Sequence, residues 1–251
     1  MLKGLLPILA IIVLVGTARA DEPAVPAGYA IHQSLALDQA TYGIDGALQI
    51  LEDSRITPAL RADMWQETTD LDLVLSEGDP LRRALAKTPL HGAHLRLIDA
   101  TGKAITDRAL GVPLADIDRQ RLHDGAPTFL VSTDHSLGIG SYAGLETGLM
   151  LVDHGQLLPE DLPGGKVLAR SLKNGWRLVD DTNPGPDGKP GTGRLIQAVA
   201  CHPNWDNPAW AESQEFVIDL TTYSFAAGWH ATTKTVVGFW ESDQDWPDGF
   251  P

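Results

Sequence analysis

The chain has 251 residues, with 19 lysines and arginines against 33 aspartates and glutamates, and a formal net charge of −14. A field of that sign repels phosphate backbones and anionic lipid, so nucleic acid and acidic membrane surfaces are disfavoured as partners. One cysteine, Cys201, rules out an intramolecular disulfide, and a chain of this length can bury a sizeable core without one.

The first twenty residues read as a secretory signal. Lys3 supplies a positive start, Leu5 to Val15 is an uncharged apolar run broken only by Pro7, and Ala18-Arg19-Ala20 has the small-x-small form of a cleavage site. The apolar run is about half the ~20 residues that a spanning helix needs. Residues 1–20 are therefore expected to be removed, leaving 21–251 without an integral membrane segment, in the periplasm or outside the cell. Losing Lys3 and Arg19 takes the net charge from −14 to −16. No cysteine follows the expected cut, so lipid attachment there is not expected.

Asp21 to Gly28, with Pro23 and Pro26, reads as an extended lead-in. Ala30–Leu37 and Gly46–Glu52 are strand candidates. Thr57 followed by Pro58, and Asp79 followed by Pro80, are helix starts: a capping oxygen, then a ring preset to helical φ. Leu60, Met64 and Trp65 fall on one face of the first helix. Leu81, Ala84 and Leu85 do so in the second, which Pro89 ends.

Beyond Gly92 the period changes to two. Leu95 and Leu97 alternate with His94 and Arg96, Asp99-Ala100-Thr101-Gly102 is a turn signal, and Ala104–Leu110 can return antiparallel. Leu114–Leu122 reads as a short helix. Thr128–Thr133 is a compact β-favouring run, and Leu149–Val152 with Leu157-Leu158 flanks a turn at Asp153–Gln156. Lys166–Leu172 and Trp176–Val179 flank Lys173-Asn174-Gly175, an Asn-Gly turn signal. Leu195–Cys201, Glu215–Phe225 and Trp229–Val237 are further strands, the last two joined at Ala226-Ala227-Gly228. In Glu215–Phe225 the residues Phe216, Ile218 and Leu220 face one way, and Asp219, Thr221 and Tyr223 the other. The tail from Gly238 is aromatic and acidic.

These elements predict a mainly β protein, with α+β as a variant: an antiparallel sandwich or barrel with two short helices near residues 57–88. A propeller-like array of β hairpins is the alternative, although no fixed repeat period is present. Residues 21–251 are expected to form one globular domain. A soft boundary near residue 89 separates a mixed α/β part from a β-rich part.

Motifs narrow the function only by exclusion. Gly138 to Gly144 lacks the spacing of a dinucleotide loop, and neither Ser136 nor Ser141 has the glycines of a nucleophile elbow. His91 and His94 lack a zinc-ligand pattern. Three places remain. Asp134 and His135, at the end of an apolar strand, are the candidate acid/base residues. Asp180, Asp181 and Asp187, in a Gly- and Pro-rich stretch, offer hard oxygens to calcium without EF-hand spacing. Trp205, Asp206 and Trp210 form the candidate binding surface, since aromatic faces stack on sugar rings or fill a partner's groove. Sugar stacking there calls for an exposed, coplanar pair. No other cofactor is suggested. The leading expectation is a non-catalytic exported binding protein whose ligand is a carbohydrate or an envelope protein. An exported hydrolase with a dispersed site and a structural envelope component are the alternatives. Cys201 is expected to be a buried, inert thiol.

Overall fold

The structure, a computed structural model, describes residues 25–66, 74–123, 126–134, 141, 144–181, 193–213 and 215–251. Residues 1–24, the stretch 135–140 with Gly138 and Gly140, and the Gly- and Pro-rich stretch 182–192 lie outside the described residues.

Three antiparallel sheets follow one another along the chain. The N-terminal sheet is a meander of β1 (Tyr29–Leu37), β2 (Gly46–Asp53), β3 (His94–Asp99) and β4 (Ala104–Ala109). The central sheet orders β5 (Ala115–Gln120), β6 (Thr128–Asp134), β7 (Leu145–Asp153) and β8 (Gln156–Glu160), and β9 (Leu168–Arg170) also pairs with β7. The C-terminal sheet is a meander of β10 (Asn174–Asp180), β11 (Arg194–Pro203), β12 (Phe216–Phe225) and β13 (Trp229–Gly238). Each sheet keeps two open edges (in the central one, β5 on one side and β8 with β9 on the other), so none closes into a barrel among the described residues. The sandwich expectation fits.

Alternation explains how the sheets stack. On β6, Phe129 and Val131 point into one core with Leu48, Ile50, Leu95 and Leu97 of the N-terminal sheet. Leu130, between them, points the other way, into a second core with Trp176, Ile196 and Tyr223 of the C-terminal sheet. The central sheet is therefore covered on both faces, and β6 reads as a continuous buried run. The opposite face of the C-terminal sheet carries Val199, Cys201, Ile218 and Leu220, and the aromatic tail covers it with Trp240, Trp246 and Phe250.

The helices follow their caps. In α1 (Gln39–Tyr42) the Asp38 side chain accepts from Thr41 N and Gly43 closes the turn at φ 67°. In α2 (Pro58–Gln66) Thr57 Oγ1 accepts from Leu60 N at 3.2 Å. In α3 (Pro80–Leu85) Asp79 Oδ1 accepts from Leu81 N at 2.7 Å. Leu60 and Met64 of α2 pack on Leu114, with Leu81 of α3 against the same cluster. The two helices expected near residues 57–88 are α2 and α3; two one-turn helices, α1 and α4 (Trp210–Ser213), were not expected.

Two further expectations are corrected. Leu114–Leu122 is not a helix: residues 115–120 form β5, paired with β6 from Ala115↔Thr133 to Gln120↔Thr128. The segment fits both periods, and Ala115 and Ile117 reach the first core only as a strand. Asn174-Gly175 is not a turn; both residues open β10. Gly175 is there because Trp240 and Trp246 lie across it, and a Cβ would stand 3.0 Å from Trp240 Cη2. Accordingly β9 pairs with β7, not with β10.

Candidate functional site

An open cavity lies at the β10 edge of the C-terminal sheet. Its volume is about 550 Å³, and it is lined by Arg170, which ends β9, and Ser171 after it, Asn174 to Arg177 of β10, and Trp240, Ser242 and Trp246 of the tail. Its walls are built by backbone and charge together. Ser171 N donates to Asn174 O at 2.9 Å, closing the short connection between β9 and β10. Ser242 N donates to Leu172 O at 2.9 Å, and Lys173 Nζ meets Glu241 Oε1 at 2.8 Å, which pins the tail over the sheet. Trp240 Nε1 donates to Asp245 O at 3.2 Å and so folds the tail on itself.

Two guanidiniums face this cavity, each stacked on an indole. Arg170 lies 4.3 Å from the Trp176 ring, and Arg177 lies 4.6 Å from the Trp246 ring. Arg177 donates Nε and Nη2 to Gln197 Oε1 at 3.0 and 2.8 Å, which fixes the plane of its fork. Arg170 Nη2 donates to Trp176 O at 3.4 Å. Neither forms an ion pair among the described residues, and no carboxylate lines the cavity. Desolvation lowers the Arg170 pKa, yet arginine stays charged at any working pH. Stacked, planar and unneutralised guanidiniums bind carboxylate, sulfate or phosphate in two-point fashion, and the indoles offer faces to a ring.

The candidates read from the sequence are dispersed. Asp134 is buried at the end of β6, opposite Leu145 of β7, and His135 lies outside the described residues. Asp180 ends β10 and faces Arg194 at 3.5 Å, with both groups well exposed. Asp181 follows it, and Asp187 lies outside the described residues. Among the described residues no group of three or more His, Cys, Asp or Glu side chains could hold a metal ion. Trp205 and Trp210 do meet, at 4.7 Å between ring centroids, but their planes are inclined by 52°. Trp205 is 73 % exposed and Asp206 is exposed beside it, while Trp210 leans edge-on against Phe216. The pair is not the coplanar platform that a sugar ring would stack on.

Arg170, Trp176, Arg177, Trp240 and Trp246 were not singled out from the sequence. A signal was present. Residues 162–179 hold Lys166, Arg170, Lys173 and Arg177 and no acidic residue, in a chain whose acids outnumber its bases 33 to 19.

Other polar clusters tie elements together. Glu52, buried on β2, receives Arg61 Nε of α2 at 2.9 Å and Ala115 N of β5 at 3.1 Å. Arg61 also reaches Asp116 Oδ1 at 3.0 Å, as does His32 Nε2 from the bulge in β1. Tyr29 Oη and His94 Nε2 are 3.2 Å apart, and His94 Nδ1 meets Asp107 Oδ1 at 2.5 Å. At the second core, His123 Nε2 lies 3.1 Å from Glu160 Oε1, with Thr128 Oγ1 donating to Glu160 Oε2 at 2.9 Å.

Among the described residues no helix is long and apolar enough to cross a membrane. Compared with known proteins, the chain matches no protein-family model, no curated protein and no solved structure.

Proposed function

We propose that this is an exported, non-catalytic binding protein whose ligand is an acidic saccharide held in the β10-edge cavity. One observation carries the reading: two arginines, each stacked on a tryptophan and without an ion-pair partner among the described residues, line a cavity to which no described carboxylate contributes, in a strongly acidic chain. Acidic surroundings would neutralise stray basic groups; these two are instead fixed by aromatic faces and by Gln197. A carboxylate or sulfate on the sugar meets Arg177 and Arg170, the sugar's apolar face lies on Trp246, and Asn174, Ser171 and Ser242 are within the same lining for hydroxyls. Export rests on the sequence of residues 1–20.

Calorimetry of purified 21–251 with a galacturonic-acid trisaccharide and with its neutral glucose counterpart tests this. The acidic sugar is expected to bind and the neutral one not. Arg177→Ala should weaken binding by about tenfold or more, since a hydrogen bond to a charged group contributes ~1.5–3 kcal/mol. Equal binding of both sugars, or none of the acidic one, overturns the reading.

A further inference from the structure

A second surface stands apart from the cavity in character, at the other side of the residue pair Phe239-Trp240. Trp240 is buried in the tail cluster, whereas Phe239 is 47 % exposed. From Phe239 a chain of ring contacts runs to Phe216 at 6.2 Å, to Trp210 at 6.2 Å and to Trp205 at 4.7 Å. Large apolar groups exposed together in this way mark an interaction site more often than scattered ones do.

The patch is held rigid. Asn207 Nδ2 donates to Ser213 Oγ at 3.2 Å and to Glu215 Oε2 at 2.9 Å, and its Oδ1 accepts from Ala209 N at 2.9 Å. That brace fixes the loop that carries Trp205 and Trp210. Beneath the patch, Lys173 Nζ lies 4.3 Å from the Phe216 ring and 4.1 Å from the Phe239 ring, and its charge is matched by Glu241. A surface that is already ordered loses little entropy when a partner lands on it.

Charge selects the partner. The same loop exposes Asp206, Glu212 and Glu215, and no lysine or arginine occurs from Leu195 to Thr233. An acidic rim repels anionic lipid headgroups. It also repels a second copy, which would bring the same rim against itself. We propose that the aromatic run Trp205–Trp210–Phe216–Phe239, rimmed by Asp206, Glu212 and Glu215, docks a cationic segment of another protein. Apolar side chains of that segment seat on Trp205 and Phe239, and its lysine or arginine groups meet the carboxylates. The proposal is independent of the saccharide reading, because no residue of the run lines the β10 cavity.

The test uses purified 21–251 and a synthetic dodecapeptide repeating lysine–leucine–lysine–glycine, followed by calorimetry and tryptophan emission at low and high salt. Two control peptides replace leucine by glycine, or lysine by glutamate. The expected result is binding of the first peptide alone, weakened about tenfold or more by Trp205→Ser. The double variant Asp206→Asn/Glu212→Gln should flatten the salt dependence while leaving the response to leucine. Absence of binding, or equal binding to Trp205→Ser, overturns the proposal. So does equal binding of the leucine-free peptide, which would mean charge alone. Tighter binding to phosphatidylcholine vesicles, or self-association that Trp205→Ser abolishes, assigns the patch to lipid or to a second copy instead and also overturns it.

Discussion

Asp53 is 1 % exposed at the end of β2, and it ties three parts of the chain together. Its carboxylate accepts from Arg55 Nε and Nη2 at 2.9 and 2.6 Å and from His91 N at 2.9 Å. Arg55 in turn donates to Thr88 O and Pro89 O, at 2.7 Å each, which holds the segment after α3. Burial pushes the Asp53 carboxyl up, but Arg55 and the two backbone N–H groups more than offset it, leaving it well below the usual carboxylate range. A depressed folded value means the stabilisation is complete above the unfolded value of about 4 and is lost as pH falls below it. Asp53→Asn leaves Arg55 without its anion and should cost about 1.5–3 kcal/mol at neutral pH, the range for hydrogen bonds to a charged group. Urea midpoints at pH 7 and pH 3 check this: the variant's deficit at pH 7 should shrink at pH 3, and a constant deficit would show that charge is not the cause. Cys201 gives a second prediction at this scale. Burial is the main force that pushes its thiol up to about 11, with Lys173 pulling down and Asp219 and Glu241 pushing up. At pH 8 an aromatic disulfide reagent should leave it untouched until urea is added; fast native-state labelling would contradict the buried position. The buried thiol was legible from the apolar stretch before it. The Asp53 tie was not, because its partners Thr88 to His91 stand well over thirty residues further along the chain.

Elements announce themselves when their signals are local. Thr57-Pro58 and Asp79-Pro80 start α2 and α3 as the sequence indicates, because a cap satisfies backbone donors within three residues. The alternation in Phe216–Phe225 likewise survives intact, with Phe216, Ile218 and Leu220 in one cluster and Tyr223 in another. The signals fail where a distant element decides. Residues 115–120 choose strand because β6 supplies a pairing edge and a core. Asn174-Gly175 leaves the turn it suggests because two tail indoles need a position without a side chain. The cavity was illegible for the same reason: it joins β9, β10 and a tail about seventy residues away, and nothing local assigns Arg170 to Trp176 or Arg177 to Trp246. Gly175→Ala tests that account. Overpacking against Trp240 should cost about 1–3 kcal/mol, shift tryptophan emission to the red as the tail lifts, and weaken any ligand of the cavity. An unchanged melting curve with unchanged emission would mean that the tail does not depend on this contact.

At the scale of the whole molecule the central sheet decides how the protein unfolds. It contributes Phe129 and Val131 to one core and Leu130 and Leu149 to the other, on strands that share hydrogen bonds. Removing either flanking sheet would bare one face of the central one, so neither flank can leave without a large loss of buried apolar area. The chain should therefore unfold in one cooperative step, as a single core does, despite its three sheets. Two probes separate the possibilities. Six of the seven tryptophans lie after residue 170, in or against the C-terminal sheet, so their emission reports that end of the stack. Far-ultraviolet circular dichroism reports all three sheets together. The two urea curves should coincide. Leu130→Ala, at the second core, should shift both to lower urea by the same amount, a loss of about 2–5 kcal/mol for a buried leucine. If emission fell at lower urea than the dichroism, or if Leu130→Ala moved emission alone, the C-terminal sheet and its tail would be a separate folding unit. The β10 cavity and the aromatic run would then belong to a part that opens while the N-terminal and central sheets stay folded. Ligand binding would in that case stabilise the emission transition and leave the other where it was.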